Sequence, residues 1–492
     1  VPLKQQLKDF PGVIGPTGTG LAPAFDSEIA MNLTTERANT NAKAPIYFKN
    51  VPGFYKNALN LVNLGSGLNQ SSIYINGRTF AIASNQFWEI TGSSITGLSS
   101  ISWGNLPTLT APYWSIAVNI RGAQILMAGG GQSFLFILAT NTLVPVVTPF
   151  PLSIVDESDG YFIGLDATGS GEFCISNYND GTVWNALNFA FEQSPDLTTA
   201  FKVAHRVLWL FGDNHTEPYV DSGNANFPFT PDQTTYINSG IIAPYSLVVC
   251  DNTLFYLGNS SGGPNTLYRL TGATPQRIST HAFETAVTGY PKTSDAYAYR
   301  YSENGHEFYV IHFPSGNATW VYDCSTGMLT QRGVYNSVTG EYDISWDRFH
   351  VWVPLLNAHL VQDYRNANIY ARSENYFDGG DLGRWMRRFP HFNSDQVSWD
   401  YHKLRLIMQT GVNGQLPPDY QPSVQLRRSF DGGYTWQPNI IDGSSGQTGQ
   451  YIRHVDFDDL GNAKDMVFEW SSADATPVVL IGAKLSATPC FS

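Results

Sequence analysis

The chain has 492 residues, of which 42% are hydrophobic and only 14% charged, and its net charge is −13. Aromatics also reach 14% and glycine contributes 45 residues, a mixture that favours strands and tight turns over long helices, because aromatic side chains fit a pleated half-buried surface and glycine supplies the positive φ that hairpin turns need. With 41 acidic residues against 28 basic ones, the composition opposes tight wrapping of a nucleic-acid backbone, which relies on Lys and Arg displacing counterions; a surface past which DNA slides stays open. The four cysteines, Cys174, Cys250, Cys324 and Cys490, show no C-x-x-C spacing, so buried free thiols are expected rather than a zinc knuckle or a disulfide framework. No apolar run reaches the roughly eighteen residues of a membrane helix, and no charged-then-apolar leader stands at Val1. The expectation is a protein that begins life in a cytoplasm.

In chain order, residues 1–70 are interrupted by Pro11, Gly12, Gly15, Pro16, Gly18 and Gly20 before Leu21, and read as an arm or irregular cap. From 71 to 395 short apolar strands alternate with polar turns, and one phrase recurs: turn, aromatic-rich strand, turn, strand. Its seven copies open at Asn76-Gly77, Arg121-Gly122, Ser170-Gly171, His205-Arg206, Asp251-Asn252, Asn304-Gly305 and Asp347-Arg348. Most spacings fall near the roughly 40 to 50 residues of a four-stranded propeller blade. The copy from Asn304 is the clearest, with HEFYVIHF, PSGNATWVYD and CSTGMLTQRG each bounded by turn residues. The pattern predicts an all-β, propeller-like body of six or seven antiparallel meanders, and fits it better than a sandwich. Radial repetition also leaves only short sheet edges.

Just before residue 396 stands a basic run, Arg384-Trp385-Met386-Arg387-Arg388. Its plain reading is a solvated face; its functional reading is a partner-contact patch, with Arg384, Arg387 and Arg388 meeting an acidic protein or nucleic acid. Residues 396–492 read as a β-rich C-terminal unit with strands near 404–409, 424–428, 467–470 and 478–485.

Within that unit, Ser429, Asp431, Gly433, Thr435 and Trp436 fit the Asp-box pattern S-x-D-x-G-x-T-W. The pattern suits a hairpin: Ser and Asp side chains bond the turn's own backbone, glycine permits the left-handed geometry, and the tryptophan is expected to pack beneath, in the core. A sialidase-like propeller that binds or hydrolyses glycans is the alternative function, but it needs an arginine cluster, a tyrosine nucleophile and an acidic partner, and one Asp box does not supply them. Gly258-Asn259-Ser260-Ser261-Gly262 matches the nucleophile elbow G-x-S-x-G, yet the expected continuation is a strand where the elbow requires a helix. Gly129-Gly130-Gly131 lacks the Lys-Ser/Thr of a P-loop. His306 and His312 share a strand face, too far apart along it to ligate one metal. No catalytic residue, cofactor or metal site is expected.

Several longer phrases carry a family resemblance: Ser194-Pro195-Asp196, VLWLFG ending at Gly212, GNANFPF from Gly223, APYS from Ala243, PQRISTHAFE from Pro275, FYVIHFPSGNATWVYDCSTG from Phe308, the Arg387-Arg388 run, the Asp-box hairpin and VVLIGAKL from Val478. In this order they resemble the packaged-DNA stabilisation proteins of short-tailed bacteriophages, also described as tail-nozzle or tail-hub proteins. The first 150 residues match that pattern much less well. The resemblance implies a non-enzymatic structural protein of the virion tail. It would form a homohexameric ring below portal and adaptor, retain packaged DNA, conduct it on ejection without sequence-specific binding, and carry a needle, fibres or spikes.

Overall fold

Two-residue turns with positive φ at both positions punctuate the chain: Asn76-Gly77 (49° and 79°), Asp159-Gly160 (53° and 93°), His205-Arg206 (55° and 63°), Asp251-Asn252 (45° and 57°) and Asn304-Gly305 (52° and 81°). Both-positive turns match the right-handed twist of the strands they join, and each links two consecutive strands of one antiparallel sheet. Non-glycine residues normally resist this geometry. Here neighbouring turns hold one another: Asn119 Nδ2 donates to Gly160 O (3.1 Å), Arg206 pairs with Asp159 (2.9 Å), and His205 Nε2 bonds Asn252 O (2.7 Å).

The computed structural model describes residues 6–18, 22–23, 25–39, 41–53, 62–109, 113–191, 196–224, 227–260, 263–372, 376, 383–393, 397–414 and 416–490. Residues 69–105, 115–145, 152–191, 200–231, 239–277, 297–335 and 347–371 form seven antiparallel sheets, blades 1 to 7 in chain order. The first strands of successive blades touch in a closed cycle, blade 7 against blade 1 included. A short early segment, Val62–Asn63, pairs with Asn368 and Ile369 and completes blade 7 from the other end of the propeller sequence. The protein is therefore a β-propeller of seven blades. Two of the seven expected openings sit elsewhere in the blade. Ser170-Gly171 joins the second and third strands of blade 3, whose first turn is Asp159-Gly160; Asp347-Arg348 lies inside the first strand of blade 7, which turns at Pro354–Leu356.

Apolar side chains are buried between blades. Ile75, Phe80 and Phe87 of blade 1 pack with Ile125, Met127 and Phe136 of blade 2. Comparable mixed clusters lie at the 2/3, 3/4, 4/5, 5/6 and 7/1 boundaries.

The remaining strands form a two-layer sandwich. One layer holds Leu33–Arg37, Ile46–Asn50, Val479–Pro489, Trp399–Met408 and Val455–Ala463, with Lys8–Phe10 on Val479–Pro489. The other holds Trp385–Arg388, Asp465–Ser472, Ser423–Ser429 and Ile441–Ser444. Phe48, Leu404, Phe457 and Leu480 from the first layer meet Leu426, Phe468 and Trp470 from the second in one core, as two facing sheets require. Early residues, expected as an irregular arm, thus supply strands, two of which, Lys8–Phe10 and Ile46–Asn50, pair with Val479–Pro489 more than four hundred residues away; Pro11, Gly12, Gly15, Pro16 and Gly18 fall in the loop after Lys8–Phe10. Trp385–Arg388, ahead of residue 396, belongs to the same sandwich.

One strand ties the halves. Ile29–Met31 pairs antiparallel with Trp385–Arg388, and Met31 bridges Gln331 of blade 6 in parallel, so blade 6 and a sandwich layer form one eleven-stranded sheet. Among the described residues the single α-helix is His281–Thr288, capped by Thr280, and no helix is long and apolar enough to cross a membrane.

Asn69, fully buried at the start of blade 1, adds a polar tie to the closure of the propeller: its Nδ2 donates to the carbonyls of Asp363 (3.0 Å), Asn366 (3.0 Å) and Asn368 (2.7 Å) in blade 7. Asn69→Ala strands these carbonyls and is expected to cost about 1 to 3 kcal/mol, read from urea unfolding. The exposed Asn63→Ala is expected to stay within about 0.5 kcal/mol of wild type.

Candidate functional site

The basic run lies at the seam between propeller and sandwich. Successive strand residues face opposite ways, so Arg387 turns inward while Arg384 and Arg388 lie nearer the surface. Arg387 is fully buried: its Nε donates to Val13 O (2.7 Å), its Nη1 to Pro16 O (3.2 Å), and its Nη2 to Gly12 O (3.0 Å) and the Glu28 carboxylate. The Gly/Pro-rich stretch is a loop wound round this guanidinium. Gly12 turns there at φ 76°, and a Cβ on Gly15 would press on Arg387 and Glu28 at 3.3 and 3.2 Å. Arg388 pairs with Glu469 (2.8 Å), which also holds Arg427 (3.2 Å). Arg384 donates to Ser471 Oγ (3.0 Å) and lies 4.2 Å over the Tyr335 ring. The expected common face is thus corrected at Arg387, and internal partners engage all three arginines.

The Asp-box residues form one turn. Ser429 Oγ donates to Asp431 Oδ1 (2.7 Å) and accepts from Gly433 N (2.8 Å), while Thr435 N and Oγ1 donate to the Asp431 carboxylate (2.9 and 2.6 Å). Gly433 has φ 96°. Trp436 departs from expectation: it is half-buried, outside the core, with Arg388 at 4.6 Å and Arg427 at 5.3 Å from its ring. The reason is the arginine pair fixed by Glu469, which offers the indole a cationic surface.

A second cluster escaped the sequence reading. At the boundary of blades 6 and 7 the filling is polar and aromatic. Tyr297, Tyr299 and Tyr301 alternate along the first strand of blade 6, and two histidines intercalate: His312 stacks on Tyr297 (4.7 Å) and Tyr299 (5.6 Å), His350 on Tyr299 (4.8 Å) and Tyr301 (4.4 Å). His350 Nε2 bonds Asp347 Oδ2 (3.1 Å), to which Tyr299 also donates. Three buried arginines edge the stack. Arg332 lies 5.3 Å over Tyr301; Arg372 lies 4.9 Å over the same ring and pairs with Glu303 (2.8 Å); Arg348 lies 5.2 Å over Tyr297. Burial pushes His312 down to about 3 and His350 to about 4, against the pull of Asp347. Burial would raise Asp347, but the hydrogen bond from His350 and the positive charges around it hold it well below the usual range. The signal was present in the alternation YAYRY at 297–301 and in DRFH at 347–350.

This cluster reaches the propeller axis. Tyr113, entering blade 2, meets Tyr245 of blade 5 (4.9 Å) and Tyr297 of blade 6 (5.0 Å), with Arg348 of blade 7 4.6 Å over its ring. Blades 2 and 5 are not neighbours, so these contacts span the axis and fill it at that level. On the side of the first-strand turns, an 890 Å³ cavity opens between blades 6, 7 and 1, walled by Tyr74, Arg300, Glu303, Trp352 and His359.

The other motifs lie in the propeller body. His306 bonds Asp323 (2.9 Å) and Glu36 (3.0 Å), tying blade 6 to the sandwich strand Leu33–Arg37. Of the G-x-S-x-G match, Ser261 and Gly262 lie outside the described residues, and strand Thr253–Ser260 pairs back with strand Gly263–Thr271. Gly130 and Gly131 make a hairpin turn. Gly20, Leu21, Ser194, Pro195, Ala225 and Asn226 of the quoted phrases also lie outside the described residues. Among the described residues no three His, Cys, Asp or Glu side chains converge as metal ligands.

Residues 20–375 match the family described as "Bacteriophage P22 Gp10, beta-propeller". No curated protein sequence matches the chain. Among solved structures, the N-terminal domain of Nup159 is 9% identical with a TM-score of 0.38, over 70% of this chain and 98% of that one. The extracellular domain of BT4673 from B. thetaiotaomicron is 11% identical with a TM-score of 0.43, over 85% of this chain and 58% of that one. BamB from Moraxella catarrhalis is 12% identical with a TM-score of 0.36, over 64% and 100%.

Removing the buried guanidinium in Arg387→Ala leaves Glu28 and three carbonyls without it, an expected loss of about 3 to 5 kcal/mol, with new proteolytic cuts between residues 6 and 18. In the Asp box the order of effects is expected to invert relative to a buried tryptophan: Asp431→Ala costs about 1 to 3 kcal/mol and Trp436→Ala only about 1 kcal/mol, both read from unfolding midpoints. The two buried histidines set an acid limit. An unfolded histidine titrates near 6.5, so below that pH the unfolded chain binds more protons than the folded one. Stability is then expected to fall from pH 6.5 towards 4, by at most about 1.4 kcal/mol per pH unit for each histidine, and to stop falling on their account below their folded values. Urea midpoints at pH 7.5, 6 and 5 test this, and His350→Gln is expected to flatten the profile.

Proposed function

Because the chain belongs to the bacteriophage P22 Gp10 β-propeller family and is a phage structural protein, we propose that it is the tail nozzle or hub subunit. In this role it closes the portal–adaptor channel, retains packaged DNA and conducts it on ejection. The observation that carries the reading is the family match over residues 20–375 of 492. Identical subunits related by a rotation that divides the circle close into a ring with an axial passage, and six copies is the proposed number. The passage is the lumen of that ring, since Tyr113, Tyr245 and Tyr297 occupy the propeller's own axis.

Charge supports a conduit. The net charge is −13, and Arg332, Arg348, Arg372 and Arg387 are buried, which leaves fewer cations to grip phosphate and hold DNA back through counterion release. The proposed partners are portal and adaptor proteins on one side and a needle, fibres or spikes on the other, with assembly following synthesis in the host cytoplasm. The proposed organisation has two parts, the propeller body and the sandwich that early and late strands build together. No cofactor enters the role.

Electron microscopy of virions with this chain fitted into the map tests the reading. A coaxial ring of six below the portal is expected; placement in the capsid shell, or one copy per particle, would overturn it. Purified protein is expected to leave duplex DNA unretained at physiological salt and a fluorogenic sialoside uncleaved.

A further inference from the structure

Cys250 ends strand Val248–Cys250 in blade 5, and Cys324 follows strand Ala318–Asp323 in blade 6. Seventy-four positions separate them, yet their sulfurs lie 3.6 Å apart. That is contact distance for two thiols, and about 1.5 Å of further approach makes a disulfide. The surroundings hold the two residues in register: Phe255 of blade 5 stacks on Tyr309 of blade 6 (5.3 Å) and tilts against Tyr322 (5.9 Å). The other cysteines have different surroundings. Cys174 is buried in the cluster between blades 2 and 3, and Cys490 lies beside Asn462 Nδ2 (2.9 Å).

We propose that Cys250 and Cys324 are a redox-formed cross-link site, a disulfide that staples blade 5 to blade 6 when the folded chain meets a small-molecule disulfide oxidant. Cys324 is the partly exposed thiol and Cys250 the buried one, which sets the order of steps. The Cys324 thiolate attacks the oxidant's S–S bond; one oxidant sulfur stays on Cys324 and the other leaves as a thiolate. Cys250 then gives its proton to water and attacks the Cys324 sulfur, forming the intramolecular bond and expelling the second oxidant thiolate. Two protein thiols are oxidised, one oxidant disulfide is reduced to two thiols, and no further reactant is needed. Hydrogen bonding with Cys324 and burial both push the Cys250 thiol up, so the second step is the slow one, on the minutes-to-hours scale of uncatalysed thiol–disulfide exchange. The staple clamps the one blade that continues into the sandwich, on the side opposite its histidine–tyrosine stack. It also closes a long loop in the unfolded chain, which raises stability. This chemistry is independent of where in the virion the chain sits.

The test treats the native protein with oxidised glutathione, then alkylates remaining thiols under denaturing conditions before mass spectrometry. Expected are two alkylated cysteines where reduced protein has four, a backbone mass lower by two hydrogens, a linked peptide pair containing Cys250 and Cys324, and a raised thermal midpoint that dithiothreitol reverses. Cys250→Ser and Cys324→Ser are each expected to abolish the rise. If either serine variant folds poorly, the wild-type peptide map decides alone. Four alkylated cysteines, a glutathione adduct persisting on Cys324, or a link through Cys174 or Cys490 would each overturn the proposal.

Discussion

The register between blade 6 and the sandwich is held by one residue in an unusual conformation. Asn32, at φ 57°, donates through Nδ2 to Gly333 O (2.8 Å) and Arg384 O (2.9 Å) and accepts from Gly333 N (3.0 Å). It follows directly on Ile29–Met31, the strand that makes both halves one sheet, so its side chain occupies the place where that strand's pairing runs out. Asparagine is among the few residues that accept a left-handed backbone and can bond locally while doing so. Arg387 adds a second tie from the strand beside it by gathering the loop of residues 12–16, and His306 adds a third by bonding Glu36. Burial would lower His306, but Asp323 and Glu36 outweigh it and raise its pKa, which favours the charged form of this clamp. Blade 6 therefore serves two structures at once.

That double duty accounts for the unusual filling between blades 6 and 7. A greasy wedge fixes neighbouring blades by volume alone and tolerates small slips. A stack of Tyr and His rings, with Asp347 and Glu303 neutralising arginines at its edges, works only in one geometry, because each buried polar group needs its partner in place. The cost is acid sensitivity at His312 and His350. The gain is a blade whose orientation is fixed on the side where the ring closes through Val62–Asn63.

How far the sequence spoke depends on the range of the interactions involved. Local signals came through: the clean copy at Asn304 yields strands at His306–Phe313 and Ala318–Asp323, and Thr435 and Ser429 satisfy Asp431 within a few residues. Turns with two valid readings slipped, as at Ser170-Gly171, where Asp159-Gly160 carries the same chemistry. Long-range pairing left no trace. Leu33–Arg37 alternates well enough for a strand, but nothing near it names Ile46–Asn50 and Val479–Pro489 as its sheet. The arginine run misled for the same reason. Residue type gave charge, while burial of Arg387 depends on a loop some 370 positions away, and Trp436 is drawn from the core by Arg427 and Arg388, themselves fixed by Glu469.

These placements bear on what a negatively charged chain does with its few cations. Several of its arginines are committed inward: to the axis through Arg348, to the blade 6–7 stack through Arg332 and Arg372, and to the seam through Arg387. An arginine stacked on an aromatic ring and bonded to a carbonyl has given its planar fork to the fold, and a phosphate would have to displace those contacts to recruit it. Exposed lysines and arginines remain, but many stand beside acids, as Lys403 does with Asp456 (3.3 Å) and Asp458 (3.0 Å), so their field is offset at close range. At physiological ionic strength the field of such pairs is screened within about 8 Å, so little of it extends beyond the surface. The interactions that make the molecule rigid thus also take several arginines out of reach of an external phosphate, and that is what the proposed conduit role asks of its wall.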